Sequence, residues 1–250
     1  MATIWQHTQG DTHYQVRSAG ATIRLYTNSA FHSQYNPNHL FTGGIWDLLA
    51  IPALYSDVIN HPITPPNLLI LGVGGGAAIH LFNRLLDHPP ITGIEYDRVH
   101  LDIARQHFKC NTKNTSLVHA DAYRWIKTNT QKFNVLLDDL FVDGPNDPVR
   151  PETVNRDWMK QLSSALSNDG VLIQNHLAPA TAKKVALDNW TRDHFKHALL
   201  FHHPMYANGI LALYKTTVDI RQARFQIGSQ IKERHPGALK RLKYRVETIY

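Results

Sequence analysis

The sequence predicts an α/β fold: a Rossmann-like, mainly parallel seven-stranded sheet with helices on both faces, and a small N-terminal β-rich domain. Three observations carry this expectation. Short apolar runs alternate with stretches of helical spacing from residue 67 to residue 194. The first run, Leu68 to Leu71, is followed at once by Gly72, Gly74, Gly75 and Gly76. Successive runs then end in acids, at Glu95, Asp121 and Asp139. Strands that alternate with helices pair in parallel, because each crossover helix returns the chain to the same edge of the sheet.

Taken in order, residues 4 to about 30 read as short strands. Tyr14, Val16, Ile23, Leu25 and Tyr26 are β-prone, and Gly10 and Gly20 mark turns. A polar loop follows over 32–38. Gly43 and Gly44 precede an apolar helix from 45 to about 59, and Pro62, Pro65 and Pro66 stiffen the link to the next unit. The glycine run leads into a helix over 77–86 with Ile79, Leu81, Phe82, Leu85 and Leu86 on one face. Strand 91–94, helix 99–108, strand 116–119, helix 122–128 and strand 133–137 come next. After a loop, the spacing predicts a helix over 153–166, a turn at 168–170, a strand over 171–173 and a helix over 181–194. Residues 197–201 and 210–214 read as an antiparallel closing pair. In the tail, Ile220, Ala223, Phe225, Ile227 and Ile231 predict one helix, and Leu239, Leu242, Val246 and Ile249 a second. The expected units are 1–64 (β-rich, with the first helix), 65–216 (Rossmann-like and catalytic) and 217–250 (a basic helical extension).

The chain has 250 residues, 43% hydrophobic and 18% charged, which suits one α/β domain with a small extension and excludes a disordered chain. Cys110 is the only cysteine, so no disulfide forms within the chain, and a reducing compartment is expected. The opening MATIWQHTQGD lacks a basic segment followed by an apolar core, and no apolar run approaches the ~20 residues that span a bilayer. A cytoplasmic protein without a membrane partner is expected. The net charge of +6 is concentrated after Asp219, at Arg221, Arg224, Lys232, Arg234, Lys240, Arg241, Lys243 and Arg245. This reads as a solvated face, and nucleic acid is not expected as a partner. None of the sixteen histidines falls in a ligand pattern, so no metal is expected.

Glycines let the chain turn sharply and let a ligand approach backbone N–H groups without meeting a Cβ. An acid at the tip of the second strand, about 20 residues on, suits two ribose hydroxyls, so Glu95 is the ribose candidate. Asp121 can accept from an exocyclic amino group, and Asp139 faces whatever reacts. Adjacent strand residues point opposite ways, so only one of Asp138 and Asp139 faces the site.

These residues resemble the spermidine synthase (polyamine aminopropyltransferase) family, which shares the fold of class I S-adenosylmethionine-dependent methyltransferases. LLILGVGGG is similar to the family's first strand and glycine turn, and GIEYDRVHLDIARQHF to its ribose-binding strand and following helix. HADAYRWI resembles its Gly-Asp-Gly segment and puts Asp121, with Ala122 beside it, near adenine. FNVLLDD resembles the strand leading to the catalytic aspartate, which falls on Asp139, and PMYANG the turn that puts Tyr206 near the acceptor. The resemblance thus implies Gly72, Gly74, Gly75, Gly76, Glu95, Asp121, Ala122 and Asp139 around the donor. It implies Asp139, Asp143 and Tyr206 in catalysis, S-adenosylmethionine or its decarboxylated form as donor substrate and a small amine as acceptor. The tail's apolar positions suit packing over the sheet or against a second subunit, and a homodimer is expected.

The departures bear on the donor. The family's glycine turn carries an aspartate that binds the aminopropyl ammonium, and that position is Gly75. Its Tyr-His-Glu triplet reads Ile45-Trp46-Asp47, its second loop acid has moved to Asp143, and a glutamine on the next strand falls on Asn175. Losing a charge-assisted hydrogen bond costs about 1.5–3 kcal/mol, which argues against efficient aminopropyl transfer unless Asp47 or Asp143 replaces the charge. Aminopropyl transfer, methyl transfer on the same scaffold and nucleoside binding without turnover all stay open at this level, with a nicotinamide oxidoreductase the weakest reading.

Overall fold

The computed structural model describes residues 1–60, 65–142, 149–151 and 155–250. Four antiparallel strands open the chain: β1 (Ala2–Gln9), β2 (Thr12–Ala19), β3 (Thr22–Thr27) and β4 (Ala30–Tyr35). The loop expected over 32–38 is therefore half strand. Its first residues continue the ladder, with Gln34 opposite Arg24 and Tyr35 opposite Ile23.

The apolar segment after Gly44 forms two 3₁₀ turns, Ile45–Leu49 and Ile51–Tyr55, and then the single-turn helix α1 (Asp57–Asn60), instead of one long helix. Pro52 has no N–H to donate back along an α-helix. The segment is buried on all sides, so packing decides its path.

The large sheet contains β5 (Leu68–Leu71), β6 (Ile91–Glu95), β7 (Thr115–His119), β8 (Phe133–Asp138), β9 (Leu166–His176), β10 (His197–His202), β11 (Gly209–Tyr214) and β12 (Arg245–Thr248). Its order is β12-β10-β11-β9-β8-β5-β6-β7. β7, β6, β5, β8 and β9 run parallel, and β11 is antiparallel to both of its neighbours. The order reverses between β5 and β8, which puts a crevice beyond their carboxyl ends. The eighth strand corrects the expected tail: residues 245–248 pair with β10 at the edge and do not form a helix. The other tail helix is present as α8 (Ile220–Arg234).

Side chains alternate between two cores. Leu68, Ile70, Val135 and Leu137 pack with α2 (Ala77–Leu85), α3 (Arg98–Gln106), the 3₁₀ turns and α8. Leu69, Leu71 and Leu136 pack with α4 (Ala122–Thr128), α5 (Arg156–Ala165) and α6 (Pro179–Leu187). The helix expected over 181–194 is two helices, because Asp188 caps a new one, α7 (Asn189–His194), through Trp190 N–H. The turn expected at 168–170 is a bulge inside β9, where the pairing with β8 jumps from Leu166 to Val171.

The N-terminal sheet lies over the start of this layer. Tyr14 donates its hydroxyl to Asp97, Thr27 Oγ1 pairs with His100, and Ser33 Oγ accepts from Gly75 N–H.

Candidate active site

The site begins at the glycine turn. Gly72 and Gly76 have φ of 86° and 87°, the left-handed region. A Cβ at Gly72 would collide with the Asp139 carbonyl oxygen, and one at Gly76 with Cys110 Sγ. The turn is thus drawn against the end of β8 on one side and the buried Cys110 on the other. A Cβ at Gly75 would lie 2.7 Å from the Phe108 ring and 2.8 Å from Ser33 Cβ. The space beside Gly75 is filled by an aromatic ring and a serine.

Glu95 closes the next strand and is buried. Its Oε2 accepts from the N–H groups of Val73 and Gly74, at 2.9 and 2.8 Å, and its Oε1 from Asp97 N–H at 2.9 Å. Each carboxylate oxygen has two lone pairs. Glu95 therefore braces the turn and keeps capacity for a further donor. Asp121 caps α4 through Tyr123 N–H at 2.8 Å, with Ala122 buried beside it. Between Glu95 and Asp97, Tyr96 is 76% exposed. It was not singled out in the sequence, although an aromatic ring directly after the strand-end acid Glu95 was the available signal.

Asp138 and Asp139 diverge as strand geometry requires. Asp138 is fully buried, and its Oδ2 accepts from Arg150, from Trp158 Nε1 at 3.0 Å and from Gln174 Nε2 at 2.9 Å. Asp139 faces the crevice. Its Oδ1 accepts from Asn175 Nδ2 at 2.8 Å, and Asn175 Oδ1 accepts from Asn208 Nδ2 at 2.9 Å. Burial pushes the Asp139 carboxyl up to about 6, against the pull of the Asn175 hydrogen bond and the Arg150 charge. Asn208 and Arg150 were not singled out in the sequence.

Tyr206 lies two residues before Asn208, on the turn between β10 and β11. Its ring meets Trp46 edge-on at 6.3 Å and His203 at 5.0 Å, and burial raises its hydroxyl pKa. Trp46 in turn packs on Phe31 at 4.3 Å and donates Nε1 to His32 O. This wall is aromatic. Asp47 does not add a free charge to it: its carboxylate accepts from Thr42 N–H, Thr42 Oγ1 and Gly43 N–H, and burial pushes it up to about 6. Asp143 lies outside the described residues. Among the described residues, no cluster of histidine, cysteine, aspartate and glutamate could hold a metal, and no helix is long and apolar enough to cross a membrane.

A sheet in this order, with a glycine turn after its first parallel strand and acids at its carboxyl ends, has the class I S-adenosylmethionine-dependent methyltransferase fold. It aligns with human methyltransferase-like protein 13 in complex with SAH at a TM-score of 0.60 and 18% identity, over 76% of this chain and 89% of that one. It aligns more completely with a probable spermidine synthase from Corynebacterium glutamicum: TM-score 0.75, 15% identity, 99% of this chain and 91% of that one. By sequence its relatives are polyamine aminopropyltransferases. The one from Sulfolobus acidocaldarius is 25% identical over 80% of this chain and 72% of its own length. The one from Clostridium beijerinckii is 27% identical over 56% of this chain, and the chain spans 53% of that relative. No family model matches the chain. The resemblance to the spermidine synthases thus holds both in sequence and in fold.

Proposed function

We propose that this protein is a transferase that moves an alkyl group from an S-adenosylmethionine-type sulfonium to an amine. The observation that carries the reading is Asp139: a carboxylate at the crevice, held by Asn175, with its pKa raised to about 6. The sulfonium sulfur supplies a good leaving group, so the protein must align the amine with the S–C bond and leave it a lone pair. As the N–C bond forms and the S–C bond breaks, the amine's proton passes to Asp139. Gly72, Gly74, Gly75 and Gly76 bring backbone close to the donor, Glu95 accepts from its ribose, and Asp121 and Ala122 flank its base. Tyr206, with Trp46, lines the acceptor side, and Asp143 assists if its loop comes near.

The relatives' activity makes aminopropyl transfer from decarboxylated S-adenosylmethionine the first reading. A second reading, methyl transfer from S-adenosylmethionine itself, is favoured by the packing at Gly75. Phe108 and Ser33 occupy the space for an ammonium-binding acid, and Asp47 is held by its own loop. Purified protein given each donor with a panel of amines separates them. Methylthioadenosine marks aminopropyl transfer and S-adenosylhomocysteine methyl transfer. Neither product, with adenosyl thioether binding intact by calorimetry, marks a binding protein, and no binding at all removes the reading. The same reading expects a cytoplasmic homodimer, which calibrated gel filtration checks for assembly.

A further inference from the structure

We propose that Arg150 is a positioning residue for Asp139 and Asn175, acting as the last rung between the two strands that carry them. The inference rests on the reading of Asp139 given above. Parallel pairing between β8 and β9 ends at Asp138 opposite Gln174. One residue further on, Asp139 and Asn175 must stay at hydrogen-bond distance with no ladder between their strands. Arg150 Nη1 fills that gap, donating to Asp138 O at 3.2 Å and to Asn175 O at 3.1 Å. Its Nη2 pairs with the Asp138 carboxylate, and both side chains are removed from solvent. One guanidinium therefore ties both strand ends.

The chain reaches this point by turning back on itself. Val142 and Val149 exchange backbone hydrogen bonds at 2.9 Å, and Arg150 comes back to the end of the strand the chain has just left. Rigid bidentate geometry suits arginine to this role. A lysine ammonium is a single point that cannot hold two carbonyls and a carboxylate in the same arrangement. The charged groups acting on Asp139 are Arg150, Asp138 and Glu95, with the Asn175 amide bonded to it.

The test uses full-length protein labelled at the aspartate carboxyl carbon, with the Asp139 resonance assigned by its loss in Asp139→Asn. Three folded variants are compared with wild type: Arg150→Gln, Arg150→Lys and the charge-neutral pair Asp138→Asn/Arg150→Gln, which leaves no buried charge unpaired. Positioning by Arg150 predicts a displaced Asp139 carboxyl chemical shift in Arg150→Lys, although the positive charge remains. In the neutral pair it predicts a displaced carboxyl shift although the opposed charges of Arg150 and Asp138 have gone together and that of Glu95 is unchanged. Where wild type turns over, kcat falls at least tenfold in both with donor KM little changed. A merely charge-balancing role predicts the opposite, wild-type carboxyl shift and wild-type kcat in the neutral pair, and that result overturns the proposal. The spectroscopic arm needs no turnover. A wild type inactive with every donor would sink the proposed function and leave this comparison decisive by itself.

Discussion

Ser33 Oγ and Gly75 N–H are 2.9 Å apart and hydrogen-bonded, which joins the last strand of the N-terminal sheet to the turn expected to meet the donor. The small sheet is thus part of the wall of the site. A Cβ at Gly75 would have to displace both Phe108 and Ser33 of β4. Forcing extra atoms into packed space typically costs about 1–3 kcal/mol, and each kcal/mol lowers Tm by roughly 2–4 °C in a chain of this size. Gly75→Asp is therefore expected to lower Tm and not to improve use of the decarboxylated donor. Thermal unfolding and donor competition check both halves. A variant that melts with wild type and gains decarboxylated-donor turnover would show that the turn widens to admit the acid.

Asp139 carries a stability cost that follows from its burial. Its folded pKa, about 6, lies above the ordinary aspartate value of 3.8. Between those values the folded state binds a proton that the unfolded chain has lost. The resulting stabilisation is present at low pH and fades as pH rises through about 6. Asp139→Asn removes the cost while its side-chain oxygen still accepts from Asn175. At neutral pH the variant is expected to be more stable by about 1–2 kcal/mol, a discounted value because the site is partly open to solvent, and to lose turnover. Denaturant titration at pH 5 and pH 8 checks this. A gain at pH 8 that persists undiminished at pH 5 would contradict the assignment. Asp47 has a shift of the same direction, so some pH dependence survives in the variant.

The strand, glycine turn, helix and strand proposed to meet the donor could be read from the chain because their determinants are local. Leu68 to Leu71, the glycines and Glu95 form one strand–turn–helix–strand unit whose spacing fixes their relation. The rest was decided at a distance. Ser33 reads as part of a polar loop, and only its pairing within the N-terminal sheet brings it to Gly75. Residues 239–249 have helical spacing, yet the free edge of β10 takes 245–248 as a strand. Ile45 to Leu54 has the composition of a helix, and burial on every side together with Pro52 makes 3₁₀ turns of it. Alternation along β8 says only that Asp138 and Asp139 part, and it took the buried partners of Asp138 to tell the two apart. Its tie to Asn208 through Asn175 needed three separate segments to converge.

Tyr96 offers a test that leaves the fold alone. It is 76% exposed, so removing its ring takes little from the core. A nucleoside whose ribose meets Glu95 would bring its base near this ring, and base–aromatic stacking contributes about 1–3 kcal/mol. Tyr96→Ala is expected to weaken S-adenosylhomocysteine or methylthioadenosine binding by roughly 5- to 150-fold, with Tm unchanged. Isothermal calorimetry on wild type and variant measures it. Equal affinity would place the base elsewhere along the crevice.

The final prediction separates the enzyme's own titration from that of its substrate. Asp139 must be ionised to receive a proton, so kcat/KM is expected to rise on the acid side with a midpoint near 6. A free amine acceptor, with a pKa near ~10, adds its own increase across the neutral and alkaline range. The two are distinguished by where each persists. In Asp139→Asn the limb near 6 disappears, while residual activity still follows the amine. In Asp47→Asn the limb stays, although Asp47 is pushed up to the same range, because its carboxylate is engaged by Thr42 and Gly43. Changing the charge around Asp139 moves the limb in a set direction. Arg150→Gln removes the cation that lowers its pKa, leaving Asp138 and Glu95 to raise it, so the midpoint shifts to higher pH. A limb that follows Asp47 instead of Asp139 would transfer the proton-accepting role to the aromatic side of the crevice.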